Sequence, residues 1–404
     1  MTDRAAPRHI LDITRLVARA GSAPLTGIDR VERAYLRALN LREDRFYLAC
    51  RTALGWLMAN GSIAAQLLQW IDHPDSLPVP ALIDRLIAWP RQTPALEAAL
   101  RVAAVARLRP GALAGWLRSY CPQGGCWISV GHMNLNDPTL AAVRQAGLGP
   151  VVMVHDTIPL DHPVWSGKDA PARHLAAVQA TARHARLILC PSQSAAQGLR
   201  RHATGDLPQV LVAPPGVEKP AADAALLPAA FDPAHAGFVA VGTIEPRKNI
   251  GLLLDVWDGF LRNLPAAAIP HLHLVGRPGW GCDSLLARLR HLSGTNGTIF
   301  HHQDLADGGV AALLDRATAL LAPSRAEGFG LPPAEAAARG IPVLATDLAV
   351  TRAVLGDYPH YLGADDNQGW SDAILASATF PRKNPPLALA DWTAHFNMVF
   401  NHLR

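Results

Sequence analysis

The sequence predicts an α/β protein built from two doubly wound domains. Three observations carry that expectation: a length of 404 residues, a series of short apolar runs that each end in polar or glycine-rich residues, and a Pro- and Ala-rich stretch near the middle. A chain this long exceeds one ordinary core and suits two domains of about 200 residues each. Short apolar runs bounded by turn signals suit buried parallel strands, because helices cover both faces of such a sheet.

Composition narrows the class. Half of the residues are hydrophobic and 17% are charged, which is a globular balance. The formal charge of +4 is mildly basic and compatible with nucleotides or acidic lipid heads, whereas no Lys/Arg-rich run marks a nucleic-acid surface. The five cysteines (Cys50, Cys121, Cys126, Cys190, Cys282) are odd in number and scattered. Cys121 and Cys126 form the only near pair, and nothing completes a zinc set around them. Reduced, buried thiols in a cytoplasmic protein are the expectation. The start, MTDRAAPRHILDITRL, lacks the apolar core of a signal peptide, and no apolar run reaches the ~18 residues that span a bilayer. Peripheral contact with the inner face of a membrane stays open.

In chain order, His9–Ile13 reads as a first strand leading to a loop of small residues at Gly21–Gly27. From Ile28 the pattern turns helical, with Val31, Tyr35, Leu36 and Leu39 on one face. Phe46–Cys50 suits a second strand. Residues from Leu57 to Tyr120 read as helical in tendency, rich in Ala, Leu and Arg. Six arginines lie between Leu82 and Ser119, with Trp89 and Trp116 interleaved. That composition suits either a membrane-facing basic surface or ordinary helices with solvated arginines.

Cys126–Val130 and Val151–His155 read as buried strands. Ligands bind beyond the carboxyl ends of strands in open α/β sheets, which places His132, His155 and Asp156 toward a substrate. Asp156 suits sugar hydroxyls or an acceptor, or equally a cap for the next turn. Arg186–Pro191 and Gln209–Ala213 complete the first domain, expected over 1–215. Residues 216–236 read as a linker.

The second domain, expected over 237–385, opens with the strand Gly237–Val241 and the loop GTIEPRKN (Gly242–Asn249). Arg247 offers a planar fork to phosphate oxygens and Lys248 a compact charge. Strands follow at His271–Val275, Thr298–His301, Thr318–Ala322 and Val343–Ala345 at βα spacing. The stretch LLAPSRAEGFGLPPAEAAARGIP runs from Leu320 to Pro342 as strand end, glycine turn and helix. Gly328 and Gly330 bracket Phe329 and let a ligand approach the main chain, and Leu331, Pro332 and Pro333 open the helix, whose start favours an anion. Glu327 on the loop and Glu335 about one turn into the helix are acceptor-only carboxylates suited to sugar or ribose hydroxyls. The tail, expected over 386–404, carries Trp392, Phe396, Val399 and Phe400 near one side of a helix.

Glu327-Gly-Phe-Gly-Leu-Pro-Pro-Ala-Glu335, together with GTIEPRKN and VHDTIPLDHP, resembles the signature of the GT-4 family of retaining glycosyltransferases. That resemblance implies the GT-B fold, two Rossmann-like domains facing a cleft, with the last helix crossing back onto the N-terminal domain. It implies that Glu335 holds the nucleotide ribose, that Glu327 contacts the donor sugar near its reacting carbon, and that Arg247 and Lys248 bind the two donor phosphates. By the same resemblance His155 contacts the donor sugar, and Gly27 and Arg30 belong to an N-terminal loop against the diphosphate and acceptor. The implied reaction is a metal-independent hexosyl transfer with retention and no cofactor. The implied partners are a nucleoside diphosphate sugar and a glycan or polyprenyl-linked acceptor. The motifs look most like mannosyltransferases of O-antigen, capsule and exopolysaccharide assembly, with GDP-mannose the first donor expected and UDP-glucose, rhamnose or fucose donors behind it. A sugar-nucleotide epimerase or an inactive relative in a polysaccharide-assembly complex are the alternative readings.

Overall fold

A computed structural model describes residues 9–20, 25–42, 46–80, 94–379 and 383–403. Among them the chain forms two units. The first comprises Met1–Thr157, Ala172–Pro215 and Trp392–Arg404, and the second Ile158–Pro171 and Gly216–Asp391.

The first unit holds eight strands: β1 (His9–Asp12), β2 (Phe46–Thr52), β3 (Gly55–Asn60), β4 (Ala104–Leu108), β5 (Gly125–Ser129), β6 (Leu148–Met153), β7 (Leu187–Cys190) and β8 (Gln209–Val212). Their order across the sheet is β4-β3-β2-β1-β5-β6-β7-β8. From β2 to β8 the strands run parallel, and β3 and β4 add an antiparallel edge. The helical tendency read over Leu57–Tyr120 holds at Ala64–Asp72, Pro94–Ala103 and Leu113–Tyr120 and is corrected at β3 and β4. The run Gly55-Trp-Leu-Met-Ala-Asn pairs residue by residue with β2, from Thr52↔Gly55 to Tyr47↔Asn60. Tertiary pairing here overrides a helix-prone composition. Trp116 is likewise not a surface residue: it is 8% exposed, meets Tyr47 edge-on and stacks on Tyr120 at 4.3 Å. Arg101 is paired with Glu97. Trp89 and the segment 21–24 of the expected small-residue loop lie outside the described residues.

The helix Gly27–Asn40 begins at Thr26, whose side chain and Asp29 form a capping box. Its apolar face, Val31, Tyr35, Leu36 and Leu39, is buried as the periodicity predicts. The same core takes Val399 and Leu403 from the tail, with Trp392, Phe396 and Phe400 packed against it. His395 fixes this tail. Its Nδ1 donates to the Pro214 carbonyl at 2.9 Å, so Nε2 is the acceptor for the Tyr35 hydroxyl, also at 2.9 Å.

The second unit is an all-parallel sheet of β9 (Gly237–Val241), β10 (His271–Val275), β11 (Ile299–His302), β12 (Ala319–Ala322), β13 (Val343–Thr346) and β14 (His360–Leu362), in the order β11-β10-β9-β12-β13-β14. The chain steps outward from β9 to one edge, then returns to β12 and steps to the other. Residues 216–236 pack into this unit, as where Asp223 N donates to the Gly308 carbonyl at 3.0 Å. The five cysteines are buried and none forms a disulfide. No described helix is long and apolar enough to cross a membrane.

Tyr35→Phe should leave the buried His395 Nε2 without its donor and cost about 1–3 kcal/mol. Urea unfolding of the two proteins measures this, and unchanged stability would contradict the tautomer and the docking of the tail.

Candidate active site

In the second unit β9 and β12 are neighbours whose following connections leave in opposite directions, a topological switch point. Two loops meet beyond their carboxyl ends. After β9, Gly242 has φ of 149°, and a Cβ there would lie 3.2 Å from Lys248 Cε, so glycine lets the lysine stem pass over the strand end. The chain then makes a single 3-10 turn, Pro246–Lys248, closed by Asn249 in the left-handed region. After β12 comes Pro323–Gly330, and the helix Leu331–Ala338 starts with prolines in its first turn. Arg325 N donates to the Arg247 carbonyl at 2.8 Å and joins the two loops.

Glu327 lies between the cations of the first loop. Lys248 Nζ donates to Glu327 Oε1 at 2.5 Å and Arg247 Nη1 to Glu327 Oε2 at 3.1 Å. Arg247 Nε also pairs with Glu245 at 2.7 Å. Burial alone would push the Glu327 carboxyl up, but Lys248 and Arg247 outweigh it and hold it down at about 2, helped by a hydrogen bond from Ser324. Gly242, Lys248, Ser324, Glu327, Pro332 and Pro333 line a recess here. Glu335 sits one turn into the helix and is 8% exposed. Gly328, Phe329 and Leu331 are half-buried beside it, and Gly330 is buried.

The first unit repeats the arrangement at its own switch point between β1 and β5. Asp12 ends β1, and its carboxylate accepts from Thr14 N and Oγ1 at 3.0 and 2.6 Å and from Asn134 Nδ2 at 2.9 Å. Burial nonetheless pushes it up to about 6. Glu32 is fully buried. Burial, with Asp12 adding to it, raises its carboxyl well above the ordinary range. A Cβ on Gly131 would come within 2.2 Å of Glu32 Oε2, so a side chain there would push the Glu32 carboxylate out of its place. Asp29 is also buried, between Arg15 at 2.7 Å and Arg19 at 2.8 Å.

His132 and Asn134 after β5 both have φ of 59°, a left-handed conformation that costs energy outside glycine. That geometry turns the His132 ring under β6, where its Nε2 accepts from His155 N at 3.1 Å. His155 Nε2 lies 2.7 Å from the Val130 carbonyl. The carbonyl only accepts, so Nε2 carries the proton and Nδ1 is the basic nitrogen. Burial lowers His155 to about 4 and His132 well below its ordinary value, the latter with His155 and His174 nearby.

His132 and His155 come together, and the Asp156 carbonyl accepts from His174 Nε2 at 2.9 Å. Gly27 is exposed at the first position of its helix and Arg30 is half-buried on the next turn. Arg247, Lys248 and Glu327 form one cluster, and the cations meet a carboxylate of the same site. Sequence reasoning passed over Asp12, Arg15, Glu32, Asn134 and His174. A signal existed for Asp12: a carboxylate closing an apolar strand and followed two residues later by Thr14.

Each of the two doubly wound units carries charged residues at its switch point, and known proteins resemble the chain as follows. Residues 235–379, within the second unit, match the family described as glycosyl transferases group 1. The chain is 31% identical over 241 residues to the serotype-specific mannosyltransferase WbdA of Escherichia coli, covering 55% of this chain and 29% of that protein. It is 31% identical over 172 residues to the O-antigen chain mannosyltransferase RfbU of Salmonella typhimurium, covering 41% of this chain and 46% of that one. The chain thus spans less than half the length of either. Among solved structures it resembles HepE of Anabaena in complex with UDP and glucose, with a TM-score of 0.64 at 15% identity over 98% of this chain and 99% of that chain. Sucrose-phosphate synthase of Thermosynechococcus elongatus gives 0.62 at 14% identity over 98% of both. The fold is GT-B.

The pKa shifts set acid windows. His155 titrates at about 4 in the fold against 6.5 when free, so the unfolded chain takes up the proton first. Its contribution is complete above pH 6.5 and is lost toward pH 4, by on the order of 3 kcal/mol. Asp12 acts in the opposite sense, its raised pKa favouring the fold at low pH and losing that contribution as pH rises through about 6. The Glu327 contribution is present above about pH 4.5 and lost toward 2. Urea melts at pH 7 and 5 should show a smaller pH loss in His155→Gln than in wild type. A His155 NMR resonance titrating near 6.5 would contradict the assignment.

Proposed function

We propose that this protein transfers a hexosyl group, mannose from GDP-mannose as the first donor to test, to a hydroxyl of a glycan or polyprenyl-linked acceptor in surface polysaccharide assembly. The observation that carries the reading is the pair Lys248 and Arg247 at the β9/β12 switch point, within a group 1 glycosyltransferase domain and one loop away from Glu327 and Glu335. Breaking the bond between sugar and diphosphate develops negative charge on the leaving group, and the barrier falls where fixed positive charge meets it. Arg247 and Lys248 supply that charge, so transfer proceeds without a metal ion. Two further carboxylates suit neutral hydroxyls: Glu335 those of the ribose and Glu327 those of the sugar.

In the first unit, the basic Nδ1 of His155 is suited to accept from a sugar hydroxyl, and Asp156 from an acceptor. The family resemblance assigns retention at the anomeric carbon, with the leaving phosphate taking the incoming hydroxyl's proton. The O-antigen mannosyltransferase relatives support the donor sugar, and the mild positive charge supports anionic donors.

A thermal-shift panel of GDP, UDP, dTDP and their sugars in EDTA tests this. One nucleotide class should stabilise the wild type, by roughly 2.7 kcal/mol at 100 times its Kd, and Lys248→Ala should abolish the shift. No shift with any nucleotide would overturn the donor site, and a shift that appears only with added divalent cation would overturn metal independence.

A further inference from the structure

We propose that Glu32 is a positioning residue of the first unit: its carboxyl is the seat on which the Gly131–Asn134 turn rests, and through that turn it fixes His132 and His155. The inference rests on the proposed function only in naming a sugar as what His155 meets. Arg247 and Lys248 belong to the second unit and take no part in it.

Glu32 lies in the second turn of the helix Gly27–Asn40 and is fully buried. Its Oε1 accepts one long hydrogen bond from Leu16 N at 3.4 Å, and its Oε2 has no partner among the described residues. The charged groups that face it are Asp12 from the end of β1, Arg15 from the helix Thr14–Arg19 and Asp29 from its own helix. Arg15 is already held by Asp29 at 2.7 Å. An enclosed carboxyl with one weak donor and two carboxylates for neighbours keeps its proton. What Oε2 meets is main chain. An added Cβ on Gly131 would stand 2.2 Å from Oε2 and 3.0 Å from Arg15 Cβ. Gly131 is not among the glycines with positive φ, so close approach, rather than backbone conformation, is what calls for glycine here.

The turn that follows is strained, with His132 and Asn134 both at φ of 59°. Such backbone persists only where its surroundings over-determine it. Asn134 Nδ2 secures one side by donating to Asp12 Oδ2 and Thr14 Oγ1, both at 2.9 Å. His132 Nε2 secures a second by accepting from His155 N at 3.1 Å. Glu32 closes the remaining side. Without it Gly131 can sink into the vacated space, draw His132 off the His155 main chain and admit water to both rings.

NMR of 15N-histidine-labelled protein tests this, with the two rings assigned through His132→Gln and His155→Gln. Glu32→Ala should raise the His155 midpoint from about 4 toward 6.5 with the fold retained. Gly131→Ala should do the same, because its methyl displaces the carboxyl. In the double variant that methyl occupies the vacated place, so the midpoint should return toward about 4, a restoration that two independent packing losses would not give. If Glu32→Ala does not fold alone, Gly131→Ala and the double variant carry the comparison. Glu32→Gln keeps the shape and should leave the histidine signals in place. Its stability relative to wild type should rise from pH 5 to pH 8, since the wild-type carboxyl favours the fold below about 4.5 and loses that contribution as pH rises. Unmoved histidine midpoints in the folded single variants, or additive shifts in the double variant, overturn the seat. A Glu32→Gln difference that is flat with pH overturns the proton on Glu32. Absence of any nucleotide-induced thermal shift in the wild type would overturn the donor site and not this inference.

Discussion

Parallel strands place every carboxyl end on one side of a sheet, and where successive connections leave in opposite directions a crevice must open between two neighbouring strands. That constraint governs both units. At β1/β5 and again at β9/β12 the chain has filled the crevice with charge rather than apolar packing. The cost of burying those charges is offset by pairing, as Asp29 with Arg15 and Arg19, or Glu327 with Lys248 and Arg247, show. Elsewhere the sheets are sheathed by apolar faces, and the core clusters follow the helices that cover them.

The two crevices solve the burial problem differently. In the second unit, desolvation of Glu327 is overcome by cations and the group stays ionised. In the first unit, desolvation prevails: Asp12 is pushed up to about 6, Glu32 well above its range, and His132 and His155 are held neutral. One crevice is a fixed field of formal charges suited to a charged ligand. The other sets uncharged histidines and a raised Glu32 carboxyl around a strained loop, beside the ion pairs of Asp29, and offers hydrogen-bonding groups suited to uncharged hydroxyls. The proposed transfer needs both kinds of chemistry, a diphosphate to hold and hydroxyl groups to orient.

Much of this was legible in the residues. The run Gly237–Val241 reads as a strand because a parallel strand covered on both faces has no polar face and turn signals bound it closely. The helix over Gly27–Asn40 follows from its period, and the tail from its aromatic face. The hairpin β3 and its partner β4 were not legible. Their residues alternate too weakly, and only pairing with β2 decides their conformation. The three-residue β14, His360–Leu362, is too short to carry a pattern. At the site, Glu327, Arg247 and Lys248 stood out through motif and family resemblance, but their mutual pairing did not, since 79 residues separate Lys248 from Glu327. Asp12, Glu32 and Asn134 were missed for a related reason. A carboxylate in a sequence reads as surface, and only the fold shows that it is enclosed.

The central claim is that the β9/β12 crevice holds a nucleoside diphosphate through Lys248 and Arg247. A crystal structure of the protein soaked with the nucleoside diphosphate that stabilises it tests this most directly. Phosphate oxygens should lie within hydrogen-bond distance of Lys248 Nζ and the Arg247 guanidinium. A nucleotide seated elsewhere, away from both cations, would contradict it.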